Sequence, residues 1–466
     1  MDRQLLVSPD FIDSLDSVNL DEFSDFPVLS KMLLEVQEQP PEEAKTELPE
    51  TSIKILFSHN EPFKSKNFQD FVSCFNGRYK SIEKIIANRP EMQNITSISR
   101  VRAKKDRETV SIVGLVQSKQ LTKNGNINVS VEDPTGIINV LVNKNKPELF
   151  SLAKDIVCDE VIGVSGVNGD RIIFSNKIFW PEVPYRELKK APKPGYALFL
   201  SDMHVGSNKF LGKEFDKFLR WLNCSTGSPY QRELASKINY IFIIGDLVDG
   251  VGIYPDQDSE LEIEDIYRQY DLCAELLAKI PERIKVIICP GNHDAVRISE
   301  PQPPLPSEFA SKIINLPNVV SVSNPALVNI HSSNGFEGFD VLLYHGYSFD
   351  YYVSNVDGIR QQGGYDRADL IMKFLLQRRH LAPSHSSTLY IPCAKDPLVI
   401  DKVPDFFATG HIHKSSVSNY RNITLICGSC WQSKTSFQER VGHHPEPCRV
   451  PIVNLATREM KILKFG

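Results

Sequence analysis

Hydrophobic and polar positions follow three rhythms along this chain. Between residues 67 and 90 (NFQDFVSCFNGRYKSIEKIIANRP), Phe68, Phe71, Val72, Phe75, Tyr79, Ile82, Ile85 and Ile86 recur at helical intervals, predicting one or two amphipathic helices. From about Ser97 to Trp180 the rhythm shortens. Val110–Val116, Asn128–Glu132, Ile137–Val142, Val161–Val167 and Arg171–Phe174 alternate or run apolar, as strands do. Turn residues punctuate them at Asn124-Gly125, Asp133-Pro134-Thr135-Gly136 and Asn168-Gly169, the last a two-residue hairpin signal. Five strands within about 80 residues, with a helical run at Pro147–Lys154 after the third, predict a small closed barrel.

An oligonucleotide/oligosaccharide-binding (OB) barrel fits that order, although such barrels also serve as protein docking surfaces. Pro181, Pro184, Pro192 and Pro194 then mark a linker. Beyond it, the apolar runs Tyr196–Leu200, Tyr240–Ile244, Lys285–Cys289, Val341–Tyr344, Phe406–Ala408 and Thr424–Cys427 alternate with helical segments. One helix presents Leu211, Phe215, Phe218, Leu219 and Leu222 on a face, and another Ile266, Tyr270, Cys273, Leu277 and Ile280. Apolar strands between helices predict an α/β domain whose sheet is covered on both faces. The expected organisation is a multi-domain α+β chain: a tail over 1–52, a small helical segment over 53–96, the barrel over 97–182 and the α/β domain over 183–466.

Composition narrows the class. The 466 residues are 41% hydrophobic and 24% charged, ordinary for soluble globular protein with about three domains. No run nears the ~18 apolar residues of a membrane span, so no membrane is expected as a partner. The start, MDRQLLVSPD, lacks the basic and apolar regions of a secretory signal, and nine irregularly spaced cysteines suit reduced thiols; the expected location is cytoplasmic. The net charge of −5 is unevenly spread. Residues 1–52 hold 13 Asp/Glu and 3 Lys/Arg, a balance of −10, which leaves +5 for the rest. The stretch Glu35–Thr51, rich in Glu and Pro, predicts a disordered tether, preceded by short helices around Leu5, Phe11, Ile12, Leu15, Phe23 and Leu29. Taken alone, a net −5 argues against a nucleic-acid binder.

The chemistry sits elsewhere. Five strands of the last domain end in polar clusters: Ser201-Asp202-Met203-His204, Gly245-Asp246-Leu247-Val248-Asp249, Gly291-Asn292-His293-Asp294, His345-Gly346 and Gly410-His411-Ile412-His413. In α/β sheets the carboxyl ends of strands are where ligands bind, so five clusters can converge on one site. Asp202, His204, Asp246, Asn292, His345, His411 and His413 offer imidazole, carboxylate and amide donors. That set suits Mn, Fe or Zn better than Ca or Mg alone and lacks the thiolates of structural zinc. Seven donors exceed the needs of one open metal, whereas two ions sharing Asp246 fit. Five of the chain's 11 histidines fall in these clusters, which makes coincidence a poor explanation. Cys427-Gly-Ser-Cys430 has no matching second pair and reads as buried thiols rather than a zinc site with Cys393 and Cys448.

The series D-x-H, G-D-x-x-D, G-N-H-D, H-G and G-H-x-H resembles the calcineurin-like metallophosphoesterase superfamily over roughly residues 195–440. A longer set is similar to the small subunit of archaeal family D DNA polymerases: Asp246-Leu-Val-Asp-Gly-Val-Gly-Ile-Tyr-Pro255, Pro290-Gly-Asn-His-Asp-Ala-Val-Arg297, Glu300-Pro-Gln-Pro303, Arg378-Arg-His-Leu-Ala-Pro383, Trp431-Gln432 and Pro447-Cys-Arg-Val-Pro-Ile-Val-Asn-Leu455. The order of acidic tail, barrel and phosphoesterase also matches. That resemblance implies β-sandwich sheets flanked by helices and a 3′→5′ exonuclease that proofreads for a separate large catalytic subunit. It further implies DNA with a 3′ end as substrate, and the sliding clamp and other replisome proteins as further partners. One ion takes Asp202, His204, Asp246 and His413, and the other Asp246, Asn292, His345 and His411. Manganese is the first candidate, with magnesium, iron and zinc as the others. His293 faces the scissile phosphate as a stabiliser or acid, while Asp294 and Asp249 orient imidazoles; Asp249 has the alternative of capping its loop. Arg297, Arg378 and Arg379 are candidates for contacts to DNA phosphates, Arg297 first. Two other readings stand beside this one: a non-catalytic scaffold subunit with a vestigial pocket, and a stand-alone phosphodiesterase that leaves barrel and tether idle.

Overall fold

The structure, a computed structural model, describes residues 52–466 apart from 63, 105, 170 and 441. The expected tail and its short helices lie outside these residues. The first described element is strand β1 (Ile53–Ser58), so the segment expected to be helical opens on a strand. The helix that follows is single, Phe68–Ala87. Asn67 caps it by accepting from the backbone N–H groups of Gln69 and Asp70, while the Asn67 N–H donates to the Asp70 carboxylate at 2.7 Å. These bonds satisfy donors that a helix start leaves orphaned.

One face of this helix (Tyr79, Ile82, Ile86) packs on the barrel at Val113, Leu115 and Val161. The barrel comprises β2 (Thr109–Leu121), β3 (Ile127–Asp133), β4 (Gly136–Val142), β5 (Val161–Asn168) and β6 (Ile172–Phe179), closed in the order β2-β3-β4-β6-β5. The helix Pro147–Lys154 lies between β4 and β5, as the pattern predicts. Strand β2 is longer than its apolar run because it pairs with both β3 and β5 and shifts register between Val116 and Ser118. Such a bulge lets a strand bend around a closed sheet. The Asn168-Gly169 signal does mark a hairpin, but the dipeptide precedes the tip: Asn168 pairs with Ile173, and the Gly169 N–H donates to the Ile172 carbonyl.

The single sheet expected beyond the linker is in fact two. Strands β7 (Tyr196–Leu200), β8 (Ile238–Ile244), β9 (Lys285–Cys289), β10 (Val319–Ser321), β16 (Arg449–Asn454) and β17 (Met460–Lys464) form one, in the order β10-β9-β8-β7-β16-β17. Strands β11 (Ala326–Ile330), β12 (Phe339–Leu343), β13 (Phe406–Thr409), β14 (Ser416–Tyr420) and β15 (Ile423–Cys427) join β1 in the other, in the order β1-β11-β12-β13-β15-β14. Along β7, Ala197 and Phe199 enter a core shared with Val341 and Phe406 of the opposite sheet, whereas Leu198 and Leu200 pack with Phe215 and Leu219 of the helix Gly212–Leu222. The outer face of the second sheet is covered by the helix Ala368–Arg378, through Ile371, Met372 and Leu375. A continuous apolar run reports burial on both faces without saying what covers each. Here one cover is a second sheet, the sandwich that the resemblance implies.

Candidate metal centre

Strands β7, β8 and β9 run parallel to one another, as do β12 and β13, so the chain leaves each group at a common edge. It leaves by sharp turns. Asp202, His204, Asp246, His411 and His413 all have positive φ, at 52°, 52°, 52°, 70° and 53°. Left-handed backbone costs a non-glycine residue roughly 1–2 kcal/mol, and it clusters where the surroundings hold a functional side chain in place. The glycines beside these residues clear the space. A Cβ on Gly245 would lie 2.2 Å from the His345 ring nitrogen Nδ1, and one on Gly291 2.2 Å from Asp246 Oδ1. The Gly-Asp and Gly-Asn-His-Asp pairings therefore have a steric cause.

The side chains converge. Asp202, His204 and His413 bring ligand atoms within 4.8 Å of one another, and so do Asp202, Asp246 and His345. His204 Nε2 lies 3.1 Å from His413 Nε2, and His413 Nε2 3.4 Å from Asp202 Oδ1. Asp246 Oδ2 stands 3.3 Å from His345 Nε2 and 3.9 Å from His204 Nε2, between the two groups. Asn292 Oδ1 is 3.0 Å from both His345 Nε2 and His411 Nδ1. All seven donors expected from the sequence meet here.

Outer hydrogen bonds set the tautomers. His204 Nδ1–H donates to Asp249 Oδ1 at 3.1 Å, His345 Nδ1–H to the Ile244 carbonyl at 2.9 Å, and His411 Nε2–H to Asp350 Oδ2 at 3.0 Å. Each leaves a ring lone pair turned toward carboxylate or amide oxygens. Among the described residues, Asp202, Asp246 and Asp249 form ion pairs with histidines only. Ring nitrogens and oxygens held about 3 Å apart need a proton or a metal ion between them, and a divalent cation can take the place of the protons across the whole set. Burial disfavours charge on His345, but Asp246 and then Asp202 outweigh it and push the imidazole up to about 10. Burial likewise opposes the Asp246 carboxylate, yet His345 and His293 hold it well below the usual range. The donor set fits divalent metal.

The supporting residues depart in part from expectation. Asp249 orients His204 and is itself held by Gln432 Nε2 and Gln257 Nε2, both at 2.9 Å. Among the described residues, Asp294 hydrogen-bonds no imidazole. Its carboxyl accepts from Gly291 N–H, Leu247 N–H and Tyr270 O–H, so it braces two ligand loops instead. Burial, then Asp246, raises it to about 7. His293 Nδ1–H donates to the Asp249 carbonyl at 2.7 Å, and burial lowers its pKa, leaving the ring neutral. A His293 ring nitrogen also lies within 4.8 Å of donors on His204 and Asp246, inside ligand range, where the resemblance makes it no ligand.

The arginines expected on DNA are committed elsewhere. Arg297 donates to the Pro301 carbonyl. Arg378 is buried against Glu160 at 2.6 Å, and Arg379 against the carbonyls of Ile400 and Asp401. Cys427 and Cys430 are buried free thiols, and neither joins a candidate metal group among the described residues. Sequence reading missed Asp350 and assigned no role to Gln432, Gln257 and Gln438, the last 2.9 Å from His413 Nδ1. Only Asp350 carried a signal, as the sole carboxylate just after the His345-Gly346 turn.

Comparison with known proteins agrees with this geometry. A family model described as calcineurin-like phosphoesterase matches residues 196–415. The chain is 38% identical over 413 residues to a protein named DNA polymerase II small subunit from Methanothermobacter thermautotrophicus, covering 88% of this chain and 82% of that one. A protein of the same name from Methanocaldococcus jannaschii is 40% identical over 83% of this chain, which spans 64% of that relative's length. The one from Archaeoglobus fulgidus is 38% identical, with 86% and 78% covered. With the seven donors assembled at the strand ends and most of these relatives' length matched, the chain belongs to the DNA polymerase II small-subunit family and carries a calcineurin-like phosphoesterase domain.

Proposed function

We propose that this chain is the small subunit of a two-subunit DNA polymerase and that its phosphoesterase domain is a 3′→5′ exonuclease. The observation that carries the reading is the ring of imidazole, carboxylate and amide donors gathered at five strand ends, with no lysine or arginine paired to its aspartates among the described residues. Asp202, His204, Asp246 and His413 would hold one ion, and Asp246, Asn292, His345 and His411 the other, manganese being the first candidate. Bound there, a divalent pair supplies Lewis acidity and positive charge for a phosphoryl transition state. The residues supply the rest. Asp249, Asp350 and the Ile244 carbonyl hold the imidazoles in their ligating tautomers. His293 is neutral at rest with Nδ1 committed, so Nε2 is its free nitrogen. An arriving anionic phosphodiester raises its pKa, which equips it to protonate the leaving 3′ oxygen.

The closed five-stranded barrel, with a helix between its third and fourth strands, supports reading it as an OB barrel. Polymerisation would reside in a large partner subunit, because outside the phosphoesterase site the chain has no series of acidic motifs for nucleotide transfer. The sliding clamp as a further partner is an expectation of the resemblance. The test is release of mononucleotides from a mismatched 3′ end in manganese, by the chain with and without its large subunit. Asp246→Ala should abolish release and remain folded. A variant that digests single-stranded DNA as fast as the parent overturns the site.

A further inference from the structure

A groove of about 670 Å³ opens beside the metal centre. Its inner end is the site itself, since Tyr347 and Asp350 line it and both touch His411. The Tyr347 ring meets the imidazole edge-on at 5.6 Å, and Asp350 bonds it at 3.0 Å. Its outer wall is aromatic. Phe71, from the helix Phe68–Ala87, lies 6.4 Å from the His385 ring and 6.2 Å from Tyr390, and those two rings are 4.9 Å apart. Leu389, 58% exposed, and the hydroxyl residues Ser386 and Thr388 complete the lining, which contains no lysine or arginine. Apart from the Asp350 carboxylate, which His411 engages, such a surface offers ring faces and hydroxyls. It suits a strand whose base faces are open for stacking, and a duplex hides those faces.

We infer that this groove binds the unpaired strand leading to the 3′ end, with Phe71 and His385 as positioning residues that stack its bases. The inference rests on the exonuclease reading and adds where the unpaired strand lies and which side chains position it. Base–aromatic stacking contributes sequence-independent affinity, so selection would be for unpairedness rather than for a base.

The test uses the full chain in manganese with two substrates, a single-stranded oligonucleotide and a small chromogenic phosphodiester. Phe71→Ala and His385→Ala should each raise KM for the oligonucleotide about tenfold, with kcat within twofold and the small ester hydrolysed at the parental rate. His385→Phe, which keeps a ring face, should restore KM, a rescue that loss of folding would not show. If the parent degrades DNA and neither alanine variant shifts KM, the groove inference is overturned and the exonuclease reading stands. If the parent cleaves the chromogenic ester but no DNA, the exonuclease reading fails and takes the groove inference with it.

Discussion

Two places in this molecule bury aspartate against histidine, and they are built in opposite ways. At Asp396 every acceptor meets a donor. Arg78 Nε donates to the carboxylate at 2.7 Å, His380 Nε2–H donates to it at 3.0 Å, and the Ala382 N–H donates to His380 Nδ1. Burial alone would raise the Asp396 carboxyl, but Arg78 and His380 hold it well below the usual carboxylate range. Burial, then Arg78, lowers His380 to about 4, so the cluster is one cation, one anion and a neutral ring. At Asp202 and Asp246 no guanidinium or ammonium arrives among the described residues, and histidines alone face the carboxylates. The first cluster is closed and structural, joining the helix Phe68–Ala87 to the segment after Arg379. The second is open, and its donor set fits a cation. Buried charge by itself does not mark a functional site; uncompensated buried charge does.

Substitutions at matched positions can break this contrast. Asp246→Asn should lower exonuclease rate at least about 10³-fold and remove the rise in melting temperature that manganese gives the parent. Asp396→Asn should do the reverse, destabilising by about 3–5 kcal/mol in denaturant titrations because Arg78 is left buried without its partner. A manganese-dependent rise retained by the first, or an unshifted midpoint for the second, would erase the distinction.

Acid sharpens it. The folded His380 titrates near 4 rather than the ordinary 6.5, so the unfolded chain takes up that proton first. The contribution is intact above pH 6.5 and lost as pH falls toward 4, amounting to about 3 kcal/mol. A His380→Gln variant should show a flatter stability profile across that window. Asp249→Asn, which leaves every donor in place but loosens the hold on His204, should weaken manganese affinity about 10–100-fold by titration. The smallest effect belongs to Arg297→Ala. With its guanidinium spent on a carbonyl, KM for DNA should move less than about twofold, and a larger rise would return it to the DNA surface.

Much of this was legible in one dimension. The helix Pro147–Lys154 and the strands Tyr196–Leu200 and Lys285–Cys289 match their apolar runs residue for residue. The seven donors announced themselves as glycine-flanked polar clusters closing apolar strands. Strands with polar residues or short spans did not announce themselves: β14 (SVSNY) lies at a sheet edge, and β10 has three residues. Arg378 and Arg379 misled for a related reason, since charge in a sequence suggests solvent until its partner, Glu160 or a backbone carbonyl, is seen.

The sequence by itself determined where the apolar strands and helices fall and which side chains are candidates for metal ligation, because both are properties of local residue type and spacing. It also showed that the net −5 is a tail at −10 set against a body at +5. Only the tertiary structure decided that two sheets stack, that Asp294 braces loops instead of orienting an imidazole, and that Asp350 and Gln432 complete the centre. Those contacts join residues tens to hundreds of positions apart, and no local pattern encodes which buried donor will face which acceptor.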